Sequence, residues 1–186
     1  MTDGGPTSTV ETAQVLLRPF EWADVAARSM LGQDASIVRM FGGSPTWEGR
    51  RSLPIKAAEA WYDAVSGEDN PHSWAVEVDG RFVGTARLHG LVEHDRRAHY
   101  AVGILDPALL GQGIGRKVTR IVLDHAFGKL DLHRVDLRVL AFNTRAIRCY
   151  QACGFVEEGR ERQAALVDGE WHDDVIMGIL ASEHRA

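Results

Sequence analysis

Cysteine is nearly absent from this chain: 186 residues contain two, Cys149 and Cys153. They sit four apart on one predicted helix, which gives no disulfide framework. No histidine or cysteine lies at finger-like spacing from them, so both read as core thiols. The eight histidines are scattered and form no His-Glu-x-x-His pair, so no metal site is expected. No apolar run approaches the roughly 20 residues that cross a bilayer. The opening Met1-Thr2-Asp3-Gly4-Gly5-Pro6 shows no basic and then apolar leader, so a cytoplasmic protein is expected. Lysine and arginine form no dominant tract and the formal net charge is −5, which argues against nucleic acid as a partner, as the lack of a spanning run does against membrane. A mildly acidic surface suits a cationic amine.

What is present is an ordinary globular composition, 45% hydrophobic and 25% charged. Residues 1–12 are rich in Thr, Ser and Gly and read as a flexible tail. Residues 13–186 are long enough for one domain with a sizeable core. Residues 15–20 read as a strand, 22–31 as a helix, and Pro54 opens a second helix to about residue 66. Residues 73–78 and 81–88 flank Asp79-Gly80, a strong hairpin signal. A strand follows over 99–105, then a helix over 115–127 whose Val118, Ile121, Val122 and Leu123 can face a sheet. Residues 134–140 alternate as a strand. Asn143 or Thr144 can cap the helix that carries Tyr150, and Gly154 can end it in the left-handed conformation. Strands over 156–166 and 171–180 meet at Asp168-Gly169. Trp22, Phe41, Trp47 and Trp61 could line an apolar pocket, but core is the safer reading for most of them.

The richest segment is Leu109-Leu110-Gly111-Gln112-Gly113-Ile114-Gly115-Arg116, a glycine turn between a buried strand and an amphipathic helix. Such a turn leaves backbone N–H groups unpaired, and the helix N-terminus adds partial positive charge. Together they suit a phosphate or pyrophosphate. A P-loop is excluded because no hydroxyl follows the lysine in Gly115-Arg116-Lys117-Val118. A dinucleotide fingerprint fails because Arg116 stands where the third glycine belongs.

The frame Leu110-Gly111-Gln112-Gly113-Ile114-Gly115 resembles the acetyl-CoA loop of the GNAT superfamily of N-acetyltransferases, written Gln/Arg-x-x-Gly-x-Gly/Ala. Leu110 departs from the usual first residue. A second match lies downstream: Asn143, Ala146, Tyr150, Gly154 and Phe155 fall on the family pattern Asn-x-x-Ala-x-x-x-Tyr-x-x-x-Gly-Phe. The element order matches that fold too: strand, two helices, three strands, helix, strand, helix, two strands. The resemblance implies an α/β (α+β) GNAT fold, a mixed central sheet with a V-shaped splay between its two central strands and helices on both faces. It covers nearly all of the chain beyond the tail. The segments around residues 150–159 and 168–173 look like the spermidine and ribosomal-protein N-terminal acetyltransferases.

The resemblance implies direct transfer of an acetyl group from acetyl-CoA to a primary amine, with no metal. Gly103, Ile104 and Leu105 would pair with the pantetheine arm as an added strand does. A backbone N–H near Ile104 would polarise the carbonyl. Leu110, Gly111, Gln112, Gly113, Ile114, Gly115 and Arg116 would hold the pyrophosphate, and Asn143 the pantetheine arm or an ordered water. Tyr150 would protonate the departing thiolate, a task that suits a phenol of pKa about 10. Many protein-acetylating relatives carry Glu five residues before the Asn; here Arg138 stands there, which weakens the case for a peptide α-amine. His89, Glu93 and His94 are alternative bases, with Asp136 less well placed, and the sequence selects none. The acceptor is a small-molecule or peptide amine, and a homodimer is common in the family. Polyamine sites need clustered carboxylates, whereas Glu21, Asp24, Asp34 and Glu48 are spread out. A second reading is a CoA-binding regulatory module without catalysis, which Leu110 and Arg138 allow and Tyr150 opposes.

Overall fold

The computed structural model describes residues 13–67 and 71–184, so the expected tail lies outside the described residues. The first elements are β1 (Val15–Arg18), α1 (Ala23–Leu31), β2 (Gln33–Asp34), α2 (Ala35–Met40), β3 (Arg50–Arg51) and α3 (Ile55–Ser66). β4 (Ser73–Val78), β5 (Arg81–Val92) and β6 (Arg97–Ile104) follow. A short 3-10 turn at Pro107–Leu109 leads into α4 (Ile114–Gly128), then β7 (Arg134–Leu140) and α5 (Thr144–Gln151). β8 (Val156–Val167) and β9 (Glu170–Leu180) complete the order.

Seven strands form one sheet in the order β1-β4-β5-β6-β7-β9-β8. Neighbours are antiparallel except β6 and β7, which the α4 crossover makes parallel. The hairpin signals form as turns: Asp79 and Gly80, like Asp168 and Gly169, all have positive φ, as a two-residue type I′ turn needs.

β6 and β7 pair only over Arg97↔Arg134, Ala98↔Val135 and His99↔Asp136. Beyond that point β6 stays with β5 through Ile104, and β7 stays with β9 through Leu140. Each strand then twists with its own partner, and the two part in a V. This is the splay that the resemblance implies.

α4 closes one face of the sheet. Ile114, Val118, Val122 and Ala126 recur every fourth residue and are buried, with Thr119 and Leu123 beside them. Ile121, expected on this stripe, is 38% exposed because it falls one step off the fourfold repeat. On the other face, Arg18 fixes α1 to the sheet. It donates to both carboxylate oxygens of Asp24, at 2.9 and 2.8 Å, and to Glu77 at 2.8 Å.

Two features escaped the sequence: helix α2 and the small β2–β3 ribbon. At six residues α2 is too short to show periodicity. Its start is marked by Asp34, whose Oδ1 accepts from the N–H groups of Ser36 and Ile37 at 2.9 and 3.3 Å. The two aromatic alternatives divide: core fails for Trp22 and Phe41, while Phe41 borders a pocket. Trp22 and Phe41 are exposed, Phe41 at 59%. Trp61 meets Phe20 and Phe82 edge-on, in the packed position expected of it.

Candidate active site

The V opens into a cavity of about 560 Å³. One end is formed by the glycine turn. Asp106 accepts from the Ala108 N–H at 3.1 Å and sets the 3-10 turn that delivers the loop. Gly111 and Gly113 have φ of 80° and 79°, and a Cβ on either would project into open space. The conformation therefore requires glycine, although packing does not. α4 starts at Ile114, with no side chain capping it. Its first backbone bond is Lys117 N–H to Gly113 O, so the N–H groups of Ile114, Gly115 and Arg116 are left for a ligand. Arg116, Arg145 and Arg148 line the same cavity and add positive charge. Backbone donors, a helix N-terminus and guanidinium groups fit the pyrophosphate of acetyl-CoA.

Leu110, Gly111, Gly113, Ile114, Gly115 and Arg116 all line this space. Gln112 does not: its Nε2 donates back to Ala108 O at 2.6 Å and braces the turn. Along β6 the strand phase decides which backbone groups are free. Leu105 N–H donates to Val83 O at 2.8 Å. Alternation then turns Gly103 toward β5 as well, and turns Val102 and Ile104 into the gap. Val102 and Ile104 line the cavity, whereas Gly103 and Leu105 do not. The phase of a strand is not legible in an apolar run, so the sequence reading missed Val102.

Asn143 Oδ1 accepts from the Ala146 N–H at 3.2 Å and caps α5. Asn143 lines the cavity, and the cap engages its Oδ1. Tyr150 is 8% exposed and packs edge-on against Tyr100 and Phe155. The Tyr100 hydroxyl bonds Thr119 at 3.0 Å. Tyr150 lines the cavity, and its hydroxyl makes no hydrogen bond to any described residue. Burial, then the nearby Cys149 and Cys153, push its pKa above the ordinary value, so it keeps its proton at neutral pH. The two thiols are half-buried, and Cys149 edges the cavity instead of sitting in the core.

None of the four alternative bases lines the cavity. Glu93 and His94 are exposed at the β5–β6 turn. His89 lies beside His99, ring centroids 5.5 Å apart, and burial, Arg87 and His99 lower its pKa. Asp136 is held by His99 and Arg134. The one carboxylate among the described lining residues is Asp174 of β9. Its side chain is 14% exposed and bonds Arg138 at 3.0 Å, and Arg138 also pairs with Glu161. Arg138 thus meets its acid across the sheet, from the neighbouring strand β9. Across β7–β9 pairing, Asp174 lies opposite Leu140, a partnership that sequence spacing does not show.

Residues 14–156 match the family model described as an acetyltransferase (GNAT) domain. The chain belongs to the GNAT family. It is 35% identical to the spermidine N(1)-acetyltransferase of Vibrio cholerae over 173 residues, covering 92% of this chain and 96% of the relative. It is 27% identical to the Escherichia coli K12 spermidine N(1)-acetyltransferase over 172 residues, covering 92% and 89%. The solved V. cholerae enzyme in complex with CoA and spermine superposes with a TM-score of 0.75 at 26% identity, covering 91% of this chain and 97% of that one. This GNAT enzyme is an N-acetyltransferase that uses acetyl-CoA as cosubstrate and an amine as acceptor. The regulatory-module reading gains no support. Among the described residues no helix is long and apolar enough to cross a membrane, and no cluster of His, Cys, Asp and Glu could hold a metal.

Proposed function

We propose that this GNAT enzyme acetylates a primary amine in the V, with Tyr150 as proton donor, Asp174 as proton acceptor and Val102 and Ile104 as the backbone partners of the cosubstrate. The observation that carries the reading is the Tyr150 hydroxyl. Burial raises its pKa, it makes no hydrogen bond among the described residues, and Tyr150 lines the same cavity as the glycine turn. Acetyl-CoA supplies an activated thioester. The free N–H groups of the turn and of α4 hold its phosphates, aided by Arg116, Arg145 and Arg148. The gap-facing N–H of Ile104 is placed to polarise a carbonyl. Asp174 attracts an ammonium group and accepts its proton, which frees the lone pair. Dependence on acetyl-CoA suits a cytoplasmic enzyme.

Tyr150→Phe tests the donor role. Turnover is expected to fall about 100- to 1,000-fold while acetyl-CoA affinity is unchanged. Loss of acetyl-CoA binding instead would make Tyr150 structural. The wild-type pH profile is a second check. A donor acts only while protonated, so its activity is lost as pH rises through its pKa. Because that pKa is raised, kcat should show no descending limb from Tyr150 below about pH 10.

A further inference from the structure

Among the described residues Arg28 is a buried cation with no carboxylate partner; its guanidinium carbon lies over the Trp61 ring, 5.8 Å from the centroid. The residue lies in the last turn of α1 and is 8% exposed. One guanidinium nitrogen donates to Gly32 O at 2.5 Å, which caps the helix. Its Nε is sealed from solvent without a hydrogen-bond partner among the described residues. Burial lowers its pKa, and no carboxylate acts to raise it. Arg18, on the same side of the sheet, is the contrast: it has two carboxylates, Asp24 and Glu77. A guanidinium offers five donors, and a helix cap uses one. Only the Nε is buried without a hydrogen-bond partner among the described residues, and a buried unpaired donor is costly, so an anionic acceptor brought by a ligand would offset that cost.

A smaller cavity of about 190 Å³ is lined by Arg28 together with Asp34, Ile37, Phe41 and Leu105. Ile37 and Phe41 also line the large cavity, so the two spaces share a wall. The Phe41 ring lies against Gly103, where a Cβ would meet its Cζ at 2.9 Å. The smaller cavity therefore adjoins the acceptor side of the V, next to the end of β6. Asp34 does not neutralise Arg28, because its carboxylate is committed to the start of α2. Asp24 and Glu48, the other acids of this region, are bound by Arg18 and Arg39.

We propose that Arg28 receives a carboxylate of the acceptor, so that the substrate is a primary amine that also carries a carboxylate, such as an amino acid or a short peptide. The distal ammonium of a polyamine would meet the guanidinium as a like charge. The proposal rests on the amine-acetylation reading above and narrows it, away from the polyamines of the spermidine relatives.

The test compares amino acids and dipeptides with their own C-terminal amides, and with spermidine, in acetyl-CoA thiol release. Each acid and amide pair differs only in the carboxylate. The acid should be preferred by about tenfold or more. Arg28→Gln should raise KM for the acid about 10- to 100-fold and leave the amide unchanged. Arg28→Lys keeps the charge, should recover part of the difference, and keeps the test readable if the glutamine variant fails to fold. Preference for the amide or for spermidine overturns the assignment but leaves amine acetylation standing. Equal losses on acid and amide in Arg28→Gln also overturn it, because a helix cap alone would act that way. Silence with every amine overturns the acetylation reading together with this one.

Discussion

The two ends of the cavity are made of different material. The cosubstrate end is largely backbone: the glycine turn, the first N–H groups of α4 and the unpaired edge of β6. The acceptor end is side chains drawn from distant places: Ile37, Met40 and Phe41 from α2 and its end, Arg138 from β7 and Asp174 from β9. A site built from backbone can hold its chemistry constant while most side chains vary. A site built from side chains can change substrate by single substitutions. The first end departs from the family pattern at Leu110, a side-chain change that leaves the backbone donors in place, whereas the departure at Arg138 changes the charged groups of the second end.

Of the two ends, the acceptor end should cost more to perturb. Asp174→Asn keeps the shape and removes the charge. It should lower kcat/KM for the amine about 100-fold and leave acetyl-CoA affinity unchanged, read by steady-state kinetics and calorimetry. A fall in acetyl-CoA affinity would show that the ends are not separate. At the other end, Arg145→Gln combined with Arg148→Gln should weaken acetyl-CoA binding about tenfold at low salt, with the effect shrinking as salt rises. An unchanged salt dependence would remove both arginines from the phosphate site. The smallest effect is expected at the wall between the two ends. Gly103→Ala places a methyl against the Phe41 ring. It should raise the acceptor KM by about two- to fivefold while the acetyl-CoA KM stays fixed, since the ring can shift a few tenths of an ångström.

The same contrast explains how much could be read in advance. Gly111 and Gly113 were legible because left-handed backbone restricts residue type. The hairpins at Asp79-Gly80 and Asp168-Gly169 were legible for the same reason. Asn143 and Tyr150 were legible because a helix fixes their spacing. Gly103, Ile104 and Leu105 were located as a segment, but which amides face the gap depends on strand phase, and pairing with β5 sets that phase. Asp174 and Arg28 gave no local signal. The first matters because β9 lies beside β7, the second because α1 buries a charge that its own neighbours do not balance. Ile121 went astray within a correctly placed helix because one residue of rotation separates stripe from surface.

The most direct test of the central claim is thiol release from acetyl-CoA by the purified chain, with and without a primary amine, followed by mass measurement of the amine. The account predicts amine-dependent release and one acetyl group gained on nitrogen for each thiol released. Acetyl-CoA binding without amine-dependent release would contradict it, and no binding would contradict the glycine-turn site on which the rest depends.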